Sequence, residues 1–227
     1  MLLAALVFLA IPGAAVPVKA KAPCALALVI AVDVSASVSA REYRQQVEGL
    51  AYALEDSEVV AAIEAIGGIW VTSFEWSGPY QQNSLLDWRF LQEAGEISAA
   101  ARRIAGRKRD PREFLTALGY ALAHGSDLMK AAPEQCEREV IDVSADGINN
   151  QGFGPEIAYA DPDFQNMTVN ALVIGNEDKA VSYYADHVIR GPGAFVEVAR
   201  DYEDYRDAMV RKLLKEIGTE QVARAGN

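Results

Sequence analysis

One stretch constrains the fold of this chain more than any other. Ala25–Val32 (ALALVIAV) is an unbroken apolar run, and it stops at a single acid, Asp33. A strand with one wet face alternates apolar and polar residues. A run with no polar break suits a strand covered on both faces, as in the middle of a parallel sheet. The rest of the sequence repeats that theme. Ile69–Trp76, Glu139–Val143, Thr168–Ile174 and Ala194–Val198 read as further strands. Between them lie segments of helical periodicity. Ser39-Ala40-Arg41-Glu42 has the spacing of a capping box, and Tyr43, Val47, Leu50 and Leu54 then mark one helix face. Phe90–Ile104, Leu115–Met129, Val181–His187 and Asp201–Ile217 also read as helices. Gly78-Pro79 turns the chain into a hairpin partner at Gln82–Trp88.

Strands that alternate with helices predict a single α/β domain. Its three α/β/α layers would enclose a mostly parallel sheet with one antiparallel edge strand. With 227 residues, 51% of them hydrophobic, the chain can bury a sizeable core. The net charge of −11 argues against nucleic acid or an anionic membrane surface as a partner, since both need a basic face. Two Cys are too few for a disulfide-built scaffold or a four-thiolate zinc site, and two His leave little room for His-based metal chemistry.

Leu2–Ile11 (LLAALVFLAI) is too short to span a bilayer but has the length of a signal-peptide core. Small residues follow, and cleavage after Ala20 would leave one domain over 21–227. The expectation is an exported protein, periplasmic or secreted, with no membrane anchor.

In open parallel sheets ligands bind beyond the carboxyl ends of the strands. The first strand ends in Asp33-Val34-Ser35-Ala36-Ser37, a later one in Asp146-Gly147, and Thr116 stands at the opening of a helix between them. These are two carboxylates and three hydroxyls, all oxygen donors. Such a set suits a hard divalent cation: magnesium first, with manganese or calcium as alternatives. An EF-hand is excluded, because the sixth position counted from Asp33 is Val38 rather than Gly and the twelfth is Arg44 rather than Glu.

The set Asp33-x-Ser35-x-Ser37, Thr116 and Asp146 resembles the metal-ion-dependent adhesion site of the von Willebrand factor type A domain. The stretches VIDVSADGINN, VNALVIG and GPGAFV look like a bacterial group of exported type-A-like proteins of unknown function. Ala145 stands where such sequences usually carry Gly. The resemblance implies a type A, Rossmann-like fold and a role as a binding module rather than an enzyme. It implies that Ser35 and Ser37 bind the cation directly, and Thr116 directly or through water. Asp33 and Asp146 would neutralise the cation, often through water. One coordination position would stay open for the acidic side chain of a protein or peptide partner. It also implies that the strands leading to Asp33 and Asp146 are parallel neighbours. Cys24 and Cys136, nine and ten residues upstream of these acids, would then lie level and could form a disulfide.

Two other readings compete with the adhesion module. The metal could be purely structural in a self-assembling exported protein. Alternatively Asp33 could be the nucleophile of a magnesium-dependent phosphatase, although Ser35 occupies the place where those enzymes need a second acid. Arg107, Lys108, Arg109 and Arg112 form a basic loop just before Thr116; it reads as a solvated loop, or as a border to the metal site. Trp70, Trp76 and Trp88 read as packing residues, and His124 and His187 as structural or exposed.

Overall fold

The structure is a computed structural model that describes residues 24–109, 114–175 and 177–225, with side chains of the last helix through Gly218. The expected signal peptide and Arg112 lie outside the described residues.

Six strands form one sheet: β1 (Cys24–Asp33), β2 (Ile69–Trp76), β3 (Gln82–Leu91), β4 (Cys136–Ala145), β5 (Met167–Ile174) and β6 (Val196–Ala199). Their order is β3-β2-β1-β4-β5-β6. All pairs are parallel except β2–β3. The helices are α1 (Ala40–Glu55), α2 (Ser57–Ala65), α3 (Ala94–Ala105), α4 (Leu118–Lys130), α5 (Pro155–Ala158), α6 (Asp178–Tyr183) and α7 (Tyr205–Ala225). A 3-10 turn at Pro162–Gln165 and a π-helical turn at Tyr184–Val188 complete the list of described helical segments.

The pleat of β1 explains its unbroken apolar run. Leu26, Leu28, Ile30 and Val32 face a core shared with α1, α2, α3 and α7. Ala27, Val29 and Ala31 face a second core with α4, α5 and the π-helical turn. Every residue of β1 is buried, so the three-layer α/β/α architecture is the expected one. The single antiparallel edge strand is β3, also as expected.

The differences are local. The helical segment at Phe90–Ile104 starts later, at Ala94. Trp70 pairs with Phe90 and Ile69 with Leu91, so β3 continues through these residues, and the Glu93/Glu96 capping box then opens α3. The helix after Ser39 is followed by a second one, because Asp56 accepts the N–H of Glu58 and caps α2. Gly67 and Gly68, with φ of 83° and 100°, supply the left-handed backbone that ends α2. The Leu115–Met129 helix begins at Leu118, which leaves Thr116 in the loop ahead of it.

Trp76 is fully buried, and Trp88 donates Nε1–H to the Leu128 carbonyl at 3.2 Å. These contacts agree with the packing role read from sequence. His124 sits edge-on to Phe74, 4.7 Å between ring centres, and burial pulls its pKa down.

The disulfide is present. Cys24 and Cys136 are register partners on β1 and β4, with Cα atoms 4.6 Å apart and sulfurs joined. They mark one end of that strand pair, and the two acids mark the other.

Candidate metal centre

The chain leaves β1 in one direction to β2 and reaches β4 on the other side, so the sheet order reverses between β1 and β4. Their carboxyl ends open a crevice there, the place where open α/β sheets bind ligands. Val32 pairs with Ser144 in that ladder. Asp33 and Asp146 therefore both sit at its rim.

The turn after Asp33 is built by backbone bonds. Ser35 N–H donates to Asp33 Oδ1 at 2.7 Å. Val34 N–H donates to the Trp76 carbonyl and Ala36 N–H to the Phe114 carbonyl, each at 2.8 Å. Ser39 closes the segment as N-cap of α1: its hydroxyl accepts Glu42 N–H, and Glu42 Oε2 accepts Ser39 N–H at 2.7 Å. From α1, Gln46 donates to the Asp33 carbonyl at 2.9 Å.

Thr116 is placed by the loop after β4. Its N–H donates to Asn150 Oδ1 at 2.8 Å, and its carbonyl accepts Asn150 N–H at 3.0 Å and Gln151 N–H at 3.1 Å. Asn149 Oδ1 accepts the N–H of Leu118, the first residue of α4. Gly119 lets this loop lie against the helix. A Cβ there would collide with the Phe153 carbonyl and lie 2.8 Å from that of Gly154.

All five predicted residues meet. Thr116 Oγ1 donates to Ser35 Oγ at 3.3 Å, Ser35 Oγ and Ser37 Oγ are 3.1 Å apart, and Ser37 Oγ donates to Asp146 Oδ1 at 2.8 Å. Asp33 joins through the Ser35 N–H. Asp33, Ser35 and Thr116 are buried, Asp146 is half-buried and Ser37 is exposed. The bowl therefore opens on the Ser37 side.

The electrostatics of this bowl are unbalanced. Asp33 Oδ2 is buried and has no hydrogen-bond partner. Burial pushes the Asp33 carboxyl up to about 7. The Ser35 N–H opposes that rise, and the nearby charge of Asp146 adds to it. A buried carboxylate oxygen with no donor is costly unless something positive faces it. The donor set here is two carboxylates and three hydroxyls, which fits a hard divalent cation. Among the described residues no group of three or more His, Cys, Asp or Glu is placed to hold a metal. A cation at this edge would therefore depend on hydroxyls.

Several contributors carry no motif. Tyr202 donates its hydroxyl to Asp146 Oδ2 at 2.9 Å, and Tyr184 donates to the Gly147 carbonyl at 2.9 Å. Arg109 Nη2 donates to the Ser35 carbonyl at 3.3 Å, so that member of the basic loop does border the bowl. Arg107 instead reaches back to the carbonyls of Ser84 and Leu85 on β3. Tyr80 is 84% exposed and meets the Tyr120 ring edge-on, and Tyr120 stacks on Phe153 with ring centres 4.1 Å apart. Leu115, next to Thr116 in the chain, is 50% exposed.

Sheet order, layers and the placement of these five residues define the fold as von Willebrand factor type A-like. The chain belongs to the family described as "Protein of unknown function (DUF1194)", which it matches over residues 23–221. No curated protein matches it in sequence. Among solved structures it is similar to the von Willebrand factor type A protein from Catenulispora acidiphila, with a TM-score of 0.62 and 18% identity, over 86% of this chain and 43% of that one. Proximal thread matrix protein 1 from the mussel byssus matches with a TM-score of 0.61 and 13% identity, over 86% and 48%. The pilus adhesin SpaC from Lactobacillus rhamnosus GG matches with a TM-score of 0.56 and 14% identity, over 85% and 30%. The match thus spans less than half the length of each of these three proteins.

Proposed function

We propose that this chain is an exported, divalent-cation-dependent protein-binding module of the adhesion type. The observation that carries this reading is the bowl itself. Five oxygen-bearing side chains from three separate segments converge there, and Asp33 Oδ2 is buried with no donor. Ser35, Ser37 and Thr116 would hold the cation with neutral oxygens, and Asp33 and Asp146 would balance its charge. Magnesium suits the hard oxygen set, with manganese or calcium as substitutes.

The cation would supply a positive centre with charge to spare. Neutral hydroxyls leave that charge largely unspent, so an acidic side chain of a partner protein or peptide can complete the coordination. Exposed Tyr80 and, beside Thr116, exposed Leu115 are apolar side chains that a protein partner would cover. The pilus adhesin among the structural neighbours lends the reading further support. Export is supported by the Cys24–Cys136 disulfide, which suits an oxidising compartment. Among the described residues no helix is long and apolar enough to cross a membrane. The phosphatase reading is weakened by Ser35, which stands where such an enzyme needs its general acid.

Calorimetric titration with Mg²⁺ and Mn²⁺, followed by capture of partners from an exported-protein fraction with and without chelator, tests the proposal. Saturable binding of one cation, lost in Asp33→Ala, and a partner released by chelator are expected. A chain that binds neither cation would sink the reading. A cation that raises thermal stability yet leaves capture unchanged would favour a purely structural metal.

A further inference from the structure

We propose that Tyr202 is a positioning residue that holds Asp146 back from the cation, so that coordination and charge are reserved for an outside ligand. The inference rests on the cation-site reading above and deepens it.

The two acids are held differently. Asp146 has both carboxylate oxygens engaged by hydroxyl donors from separate elements. Ser37, from the turn after β1, donates to Oδ1 at 2.8 Å, and Tyr202, from the segment ahead of α7, donates to Oδ2 at 2.9 Å. Two donors on the two oxygens fix the plane of the carboxyl group. Asp33 has one oxygen on the Ser35 N–H and the other facing no donor. Asp33 therefore has a free oxygen for a cation or its water, and Asp146 has none that can turn inward without breaking a bond.

The tyrosine hydroxyl is itself presented by a preformed turn. Asp201 Oδ1 accepts the N–H groups of Glu203 and Asp204, each at 2.9 Å. Asp204 Oδ2 accepts Arg200 N–H at 3.0 Å and Arg200 Nε–H at 3.2 Å. The Tyr202 ring is half-buried and packs against the core cluster of α1 and α7. Orientation by such a support contributes to a metal site even though the residue touches no metal.

Removing the hydroxyl while keeping the ring should free Asp146 Oδ2 to turn toward the cation. A second directly bound carboxylate would tighten cation binding, displace one water and reduce the positive charge left over.

The test uses the full chain, Mn²⁺ alone as the probe, and Tyr202→Phe. Affinity is read by calorimetry, and the number of waters on bound Mn²⁺ by water-proton relaxation. The expected result is an affinity roughly fivefold to tenfold higher, the scale of one charge-assisted hydrogen bond redirected, with a relaxation enhancement lower by the share of one water. In an Asp146→Asn background the same substitution should change neither quantity. Parent-like affinity and relaxation in Tyr202→Phe would overturn the assignment. So would an affinity change with no loss of water, or an effect that persists in the Asp146→Asn background. A parent chain that fails to bind Mn²⁺ would overturn the cation site itself, an outcome distinct from these.

Discussion

Cys24 and Cys136 face each other across the first rung of the β1–β4 ladder, and a covalent bond joins them at the end of the strands remote from Asp33 and Asp146. The bond closes a loop with a sequence separation of 112. Cross-linking a loop of that length lowers the entropy of the unfolded chain by the equivalent of about 4–5 kcal/mol when the native geometry is unstrained. Replacing both residues, Cys24→Ala with Cys136→Ala, should lower the urea midpoint by a large fraction of its value. It should leave Mn²⁺ affinity within about twofold, because the bond lies at the opposite end of the strands. Calorimetry alongside urea melts checks both halves of this expectation.

Asp33→Asn should act in opposite directions on stability and binding. The metal-free variant should be at least as stable as the parent, since it no longer buries a carboxylate oxygen without a donor. It should also lose the stabilisation that saturating Mg²⁺ gives the parent, about 2.7 kcal/mol at a cation concentration 100 times Kd. Thermal melts with Mg²⁺ and with chelator measure both. A parent melt unmoved by Mg²⁺ would contradict the prediction.

Much of this site is legible in the sequence, for a physical reason. Asp33, Ser35 and Ser37 lie within one turn, so their spacing alone puts their oxygens together. Ser39 and Glu42 announce the start of α1 in the same local way. The unbroken β1 run predicts burial on both faces, and the alternation of strands with helices predicts the three layers. Contacts between distant segments are not legible. Tyr202 lies 56 residues from Asp146, and it looks like one more aromatic residue near the start of a helix. The end of β3 escapes a sequence reading because Phe90 and Leu91 suit a helix as well as a strand; only pairing with Trp70 and Ile69 decides between them.

A second feature hidden from the sequence lies under α7. Lys212 is fully buried, with its ammonium 2.6 Å from Asp142 on β4 and 2.6 Å from Glu216 one turn on. Removing the cation leaves two buried acids facing each other. Lys212→Met should therefore destabilise the fold by about 3–5 kcal/mol. Chemical denaturation at pH 7 measures the loss.

The same cluster sets a pH dependence. Burial raises the Asp142 pKa above its ordinary value, and the charge of Glu216 adds to the rise, against the attraction of Lys212. Arg138 donates to the Glu216 carbonyl, Asn170 donates to the Glu216 carboxylate, and Tyr205 lies close to Asp142. With a folded pKa above the unfolded one, the folded state keeps a proton that the unfolded chain has already released. The contribution of Asp142 to stability is thus full below about pH 4, the ordinary carboxylate range, and falls as pH rises toward neutrality. Asp142→Asn should flatten that decline. Equal slopes for parent and variant between pH 4 and 7 would contradict it.

Gly119→Ala tests the seat of Thr116. The added carbon has no room against the backbone of Phe153 and Gly154, so the loop that holds Thr116 through Asn150 must move. A cost of about 1–3 kcal/mol is expected, as for other overpacked sites. Weaker Mn²⁺ binding should accompany it, measured by the same calorimetry.

The placement of the disulfide has a mechanical consequence. β1 and β4 run side by side in the same direction, with Asp33 and Asp146 at one end and a sulfur bond at the other. Tension applied through Asp33 or Asp146 would try to slide these strands past each other. Sliding would have to shear the whole ladder of hydrogen bonds at once rather than peel it open rung by rung, and the sulfur bond blocks the slide at the far end. The strand pair that carries the bowl is therefore cross-linked against such a slide.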